Sequence, residues 1–412
     1  MNQNQSLKIF FVLVLMIFVC LIAVTSADEK THALDNKEYL FEKLFKVFKI
    51  VSVDPHKIGV LLPLTEENAR YGNRALDAIL LGAGIFDGTG NSPYQFIIED
   101  TRSSLETARK AVKKLAETDG VICIIGPLRG AEDEGAALEA QRLKTPMVTL
   151  TSKKGITSVG EYVFRNYLTN KMQIKTLVKY AVNDLKSNRF AVLFPQSPYG
   201  QAMGDLFMNE VLRLGGEIVK IQSYEASQTN FEREIDTITD AKKKLNEQGE
   251  EVVARTIHFD TLFIPDSYIN VRMIASQLAF YDVKGFQLLG TSAWNHHDLL
   301  RIGGDYLEGA VFVDGFFLNS FYPVVNDFTD MYYAAFGREP ALIDAMAFDT
   351  IKIVTKILAE RYIDTRGTFR DELLALKDYN GVTGNTSFFN GRDADKEAFI
   401  LSVRNGRIIQ IR

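Results

Sequence analysis

Four apolar runs along the chain each stop at a proline that opens a polar or glycine-bearing loop. They are "IGVLLP" to Pro63, "VICIIGP" to Pro127, "FAVLFP" to Pro195 and "DTLFIP" to Pro265. A short continuous apolar run reads as a strand covered on both faces, as in parallel sheets packed between helices. Proline has no N–H to give a ladder, so each strand ends there, at its carboxyl edge. Ligands of open α/β sheets collect beside that edge. The repeated strand–proline–loop–helix device therefore predicts a set of binding loops.

Helical periodicity fills the intervals. After a strand from Lys57 to Leu62, residues Gly72, Ala75, Leu76, Ile79, Leu80 and Ala83 make one core-facing stripe. "YQFIIED" reads as a second strand. Ser103 with Glu106 predicts a capping box for a helix lined by Leu105, Ala108, Val112, Leu115 and Ala116. Gly120 closes that helix before the strand that holds Cys123, "GPLRG" opens the next helix, and Pro146 leads into "MVTLTS". Such alternation implies right-handed crossovers and a parallel sheet. The plan restarts near Asn170, with a strand from Phe190 to Phe194 and a helix that turns Met203, Leu206, Phe207, Val211 and Leu214 inward. "VLLP" with Tyr71–Gly72 is matched by "VLFP" with Tyr199–Gly200, so two similar α/β lobes are expected. "TDAKKKLNEQGEEVVART" predicts a charged, solvated extension of a helix and its loop.

The first residues read differently. Lys8, an apolar run from Ile9 to Val24 and small residues before Ala27 describe a secretory signal peptide over 1–27, with an uncleaved membrane anchor as the alternative. Residues 28–55 then carry Leu40, Leu44, Phe45 and Phe48 at helical spacing, a short amphipathic helix or stalk. At 412 residues the chain is too long for one ordinary core and suits two lobes. A net charge of −5 leaves no basic footprint, so no nucleic-acid partner is expected. Cys20 lies in the signal. Cys123 lies in an apolar strand, where it reads as a core residue rather than a nucleophile.

Signatures of catalysis and of cofactor binding are poor, and neither an enzyme nor a cofactor is expected. "GAGIFD" lacks the third glycine of a dinucleotide fingerprint and ends a helix instead of opening one. "GFQLLGTS" has P-loop glycine spacing without the lysine. His296 and His297 are adjacent, so they are expected to face apart on a surface loop rather than to share a metal. No G-x-S-x-G elbow occurs.

Several segments, in order, resemble the type I periplasmic binding proteins of the leucine/isoleucine/valine-binding group: "KIGVLLPLTEENARYGNRALDAILLG", "VICIIGPLRGAEDEGAALEAQRLKTPMVTLTS", "SPYGQAMGDLF", "LLGTSAWN" and the closing "GVTGNTSFFNGRDADKEAFILSVRNGRI". "FIPDSY", "LLGTSAWN" and "YLEGAVFVDGFF" are also similar to a branch of penicillin-binding-protein activators. The resemblance implies an α/β chain of two Rossmann-like lobes with parallel central sheets. Three crossovers, near Phe164–Asn170, Phe316–Ser320 and Tyr379–Gly384, would join them. It implies a first lobe at 56–168, a second at 169–316, a return to the first over 317–380 and a tail in the second over 381–412. Such a molecule closes on its ligand by hinge rotation.

By the same likeness, Tyr71, Leu128, Gly130, Thr149, Thr151 and Ser152 would receive a small polar, amino-acid-like ligand from lobe one. Tyr199, Asp266, Ser267, Ser292 and Trp294 would face them from lobe two. Hydroxyls and free amides at helix starts suit a carboxylate. The chain departs from the pattern at two points. Arg129–Gly130 stands where amino-acid binders place a serine, and Thr291–Ser292–Ala293 where they place an acidic residue for the ammonium group. A buried ammonium without a carboxylate is costly; Asp266 and Asp314 are the available substitutes. Two functions are expected to compete: a periplasmic solute receptor serving an ABC permease, and an envelope protein acting on a penicillin-binding protein through protein contacts.

Overall fold

The computed structural model describes residues 52–86, 92–245, 250–301 and 304–412. The expected signal peptide and the amphipathic stretch from Leu40 to Phe48 lie outside the described residues. Lobe one starts with β1 (Asp54–Leu62), α1 (Ala69–Gly82), β2 (Gln95–Asp100), α2 (Leu105–Lys114), β3 (Val121–Ile125), α3 (Glu132–Arg142), β4 (Met147–Thr149) and β5 (Val163–Arg165). Its five strands run in the order β2-β1-β3-β4-β5, every pair parallel. β3 is buried along its whole length, as its unbroken "VICII" requires; each such Val or Ile contributes about 1.5–3 kcal/mol.

Lobe two follows with α4 (Asn170–Asn183), β6 (Arg189–Pro195), α5 (Pro198–Arg213), β7 (Glu217–Tyr224), α6 (Glu232–Ile238), β8 (Lys242–Leu245), β9 (Glu251–Ala254), β10 (Thr261–Phe263), α7 (Tyr268–Phe280), β11 (Gln287–Gly290) and β12 (Val311–Asp314). The chain then returns to lobe one through α8 (Pro323–Phe336), α9 (Leu342–Glu360) and α10 (Arg366–Ala375). α9 packs along α1, where buried Asp344 forms an ion pair with Arg74 and accepts the Tyr332 hydroxyl at 2.8 Å. Arg366 of α10 caps carbonyls of lobe one, Val121 at 2.9 Å and Ala116 at 2.8 Å. A small antiparallel sheet, β13 (Tyr379–Gly381), β14 (Gly384–Ser387) and β15 (Asp395–Lys396), leads to β16 (Phe399–Arg404) and β17 (Arg407–Gln410). These last two complete the second sheet, β17-β16-β12-β11-β10-β6-β7, as an antiparallel edge on a parallel body. Their hairpin turns at Asn405 and Gly406, both at positive φ, as an Asn-Gly turn demands.

The two lobes repeat one steric device. A Cβ on Gly72 would lie 1.9 Å from the Pro63 carbonyl oxygen, and one on Gly200 would lie 2.3 Å from that of Pro195. In each lobe the first turn of the helix rests directly on the end of the preceding strand. The Tyr–Gly pairs therefore mark equivalent positions, and each tyrosine projects at a strand's carboxyl edge.

Three local expectations are corrected. The cap of α2 is Ser104, which accepts from the Thr107 amide, rather than Ser103. Leu105 is exposed, while Ala108, Val112, Leu115 and Ala116 are buried. The charged stretch expected as helix and loop forms the hairpin β8–β9, pairing Lys242–Leu245 with Glu251–Ala254. Its Val252 and Val253 favour extended backbone, and Lys243 pairs with Glu251 across the strands at 2.5 Å.

Candidate functional site

The loops after β1, β3 and β4 and those after β6, β10, β11 and β12 leave the carboxyl edges of the two sheets. Tyr167, in the first crossover, feels charges of both lobes. Burial raises its phenol pKa; Asp314 of lobe two raises it further, while Arg165 and Arg129 of lobe one lower it. Tyr199 is coupled to the same point: burial raises its pKa, the Thr291 bond lowers it, and Asp266 and Tyr167 raise it. Groups from both lobes therefore act electrostatically on one pair of tyrosines.

On lobe one, Tyr71 is exposed at the start of α1, and the Arg129 guanidinium sits 5.0 Å from its ring centroid. Gly130 is exposed at φ 98°, and Ser152 is also exposed. Leu128 is only 3% exposed and belongs to the core. Thr149 is buried at the end of β4 with its hydroxyl unpartnered. Thr151 is buried and donates to Asp133 Oδ2 at 2.6 Å. Its neighbour Glu132 accepts the Thr101 hydroxyl at 2.7 Å. One oxygen of each acid, Glu132 Oε1 and Asp133 Oδ1, is buried without a partner. Burial is the main force on both. It pushes Glu132 up to about 7, against the Thr101 bond. It pushes Asp133 up to about 6, against the Thr151 bond, Lys153 and Arg129. The start of α3, expected to receive a ligand carboxylate, is thus occupied by the protein's own acids. Sequence reasoning missed this pair; the signal was "AEDEG" directly after "GPLRG".

On lobe two, the Tyr199 hydroxyl lies 3.1 Å from Thr291 Oγ1. Asp266 accepts from the Tyr224 hydroxyl and, at 2.8 Å, from Asn270 Nδ2; its other oxygen accepts from the Ser267 amide at 2.6 Å. Ser267 occupies the N-cap of α7 without a side-chain cap bond. The Ser292 amide donates to Gln173 Oε1 of α4 at 3.2 Å. Asp314 ends β12, buried; Asn295 Nδ2 donates to it at 2.7 Å, and burial pushes it up to about 6 against that bond and those of the Gly315 and Phe316 amides. Asn295, Tyr224 and Tyr167 join the candidate set from the structure alone.

Trp294 leaves it. The ring is fully buried, donates Nε1–H to the Ile264 carbonyl at 3.1 Å and lies over Gly290, where a Cβ would be 2.1 Å away. It is a core residue of lobe two in this structure, not a stacking platform. The histidines also differ from expectation. Their rings stack at 4.3 Å, and their nitrogens and the Asp298 carboxylate lie within 4.8 Å of one another. His296 Nδ1 already accepts the Asp298 amide at 3.1 Å, and Arg301 takes that carboxylate at 3.1 Å. A neutral His296 then carries its proton on Nε2 and offers no free lone pair.

The fold agrees with that of known proteins. Among curated proteins none matches. A provisionally named branched-chain amino acid ABC transporter from Rhodospirillum rubrum superposes with a TM-score of 0.76 at 23% identity, over 86% of this chain and 99% of that one. The leucine binding protein LivK from Thermotoga maritima gives 0.57 at 21%, over 86% and 97%. LivJ from Streptococcus pneumoniae, solved with isoleucine, gives 0.56 at 21%, over 85% and 97%. A sequence model described as "Periplasmic binding protein" matches residues 55–407. With its two α/β lobes and returning tail, the chain belongs to the periplasmic binding protein family, in its type I, leucine-binding-like form.

Proposed function

We propose that the chain is an exported, non-catalytic receptor that captures a small polar, amino-acid-like ligand between its lobes by hinge closure. It would act in the periplasm and pass that ligand to an ABC permease. The observation that carries this reading is a cation and an acid at the carboxyl edges of the two sheets: Arg129 of lobe one, 5.0 Å from the Tyr71 ring, and Asp314 of lobe two, at the end of β12. Arg129 suits an anionic group through charge-assisted hydrogen bonds, and Asp314 with Asp266 suits a cationic one. A zwitterion spanning both would favour the closed state, because only that state satisfies both of its ends. The solved relatives named with isoleucine or leucine support an amino-acid ligand. Another, from R. palustris, was solved with benzoate, so the fold also accepts an organic anion. A thermal-shift screen of the mature chain against amino acids and small carboxylates tests the proposal. Stabilisation by at least one compound is expected, and a flat response across the panel contradicts it.

A second reading is favoured by one feature: a lobe-one hydroxyl expected to meet a ligand, that of Thr151, is buried and committed to Asp133. On this reading the chain is an envelope protein that activates a penicillin-binding protein through contacts and needs no ligand. Capture of a bifunctional penicillin-binding protein by the purified chain supports it. Failure of such an enzyme to bind removes it.

A further inference from the structure

We propose that the molecule carries a second small-molecule site, for a compact zwitterion of amino-acid or dipeptide size, in a cavity behind the hinge. This cavity has a volume of about 390 Å³ and shares no lining residue with the interlobe candidates. Its size falls within the range of small-ligand pockets, about 300–1,000 Å³.

Its walls carry opposite charge. One face of α4 supplies Lys175 and Lys179, while β15 and the step into β16 supply Asp395 and Glu397. Tyr322 and Phe399, 5.9 Å apart, add an apolar surface. Among the described residues, neither lysine nor Glu397 makes a side-chain hydrogen bond or ion pair, and Lys175 acts on Glu210 only through its field. The decisive atom is Asn385 Oδ1, which is buried and has no partner. Its orientation is set by the other end of the amide: Nδ2 donates to Asp378 Oδ1 at 3.3 Å. A flipped amide would turn its oxygen toward that carboxylate, so the free group is an acceptor. A buried acceptor without a donor is costly. An ammonium group would satisfy it beside Asp395, with the carboxylate of the same molecule toward Lys175 and Lys179.

The site is tied to both lobes. One wall, α4 and β16, is lobe two. The other is the small sheet whose turn is held by Asp349 of α9, a lobe-one helix: the Val382 and Thr383 amides each donate to it at 2.8 Å. Buried Lys396, between these walls, donates to Asn166 Oδ1 of the first crossover at 3.0 Å. Hinge rotation moves one wall against the other, so an occupant that fits one state better shifts the open–closed balance. This coupling rests on the hinge-closing reading above; the site itself does not.

Isothermal titration of α-amino acids and dipeptides into the mature chain and three variants tests the proposal. Asp314→Asn alters the interlobe site; Lys179→Glu, on an exposed side chain, and Asn385→Leu alter the cavity. One binding event is expected to survive Asp314→Asn within about twofold. Lys179→Glu and Asn385→Leu are expected to weaken it at least tenfold, a change of about 1.4 kcal/mol. Should Asn385→Leu fail to fold by circular dichroism, Lys179→Glu decides alone. Binding that only Asp314→Asn weakens overturns this proposal and leaves the interlobe reading standing. Binding that only the cavity variants weaken does the reverse, and absence of binding to every compound overturns both.

Discussion

The first turns of α1 and α5 are the same device used to different ends. Each sets a glycine against a proline carbonyl and leaves a tyrosine at the rim. Both tyrosines stay exposed, but Tyr71 lies beneath the Arg129 guanidinium, whereas Tyr199 is bonded to Thr291. Around them the contrast widens. Lobe one places two acids, Glu132 and Asp133, inside the rim, satisfied on one side by threonines and unpartnered on the other. In lobe two, Asp266 and Asp314 are held by neutral donors: Tyr224, Asn270, Asn295 and backbone amides. Equivalent backbones therefore do not imply equivalent chemistry. The rim of lobe one offers a positive charge over a buried acidic floor, and that of lobe two a pre-formed acidic pole.

The largest effect that sharpens this contrast concerns Trp294. Trp294→Ala should destabilise the chain by about 3–5 kcal/mol, the cost of emptying a core position, as read by urea denaturation. An unchanged midpoint with lost ligand affinity would return the ring to the rim.

Next in size is the acidic floor of lobe one. Glu132 and Asp133 have folded pKa values raised to about 7 and about 6, above their unfolded references of about 4.3 and 3.9. The native state therefore holds protons that the unfolded chain has released. The stability this gives is fully present below about pH 4 and is lost as pH rises through about 6 to 7. Glu132→Gln should gain on the order of 1–3 kcal/mol over the parent at pH 8 and little at pH 4. Melting temperatures across that range check it, and parallel curves for the two proteins would show that the acid is not buried as described.

The smallest effect compares the two tyrosines directly. Tyr199→Phe should cost about 0.5–1.5 kcal/mol, the worth of its hydrogen bond. Tyr71→Phe should stay within about 0.5 kcal/mol, as for a surface change. Equal costs would erase the contrast between the rims.

What was legible in the sequence follows the same line. Proline-terminated apolar runs located β1, β3, β6 and β10 because a doubly covered strand has few other readings. The Tyr–Gly repeat was legible because steric close approach admits only glycine. The hairpin β8–β9 was not, since lysine-rich strands show no apolar alternation and a tertiary pairing decides them. Trp294 stood in a loop-like "TSAWN", and nothing local shows that Gly290 leaves room for its ring. The buried state of Glu132 and Asp133 was equally hidden: acids at a helix start are ordinary in solvent, and only the packed α3 encloses them.

A ligand held from both lobes is tested most directly by one titration. Amino acids and small carboxylates are titrated calorimetrically into the parent chain, Arg129→Ala and Asp314→Asn. At least one compound should give saturable heat with the parent, and both substitutions should weaken that same compound about tenfold or more, about 1.4 kcal/mol each. No heat from any compound, or a ligand weakened from one lobe only, would contradict it.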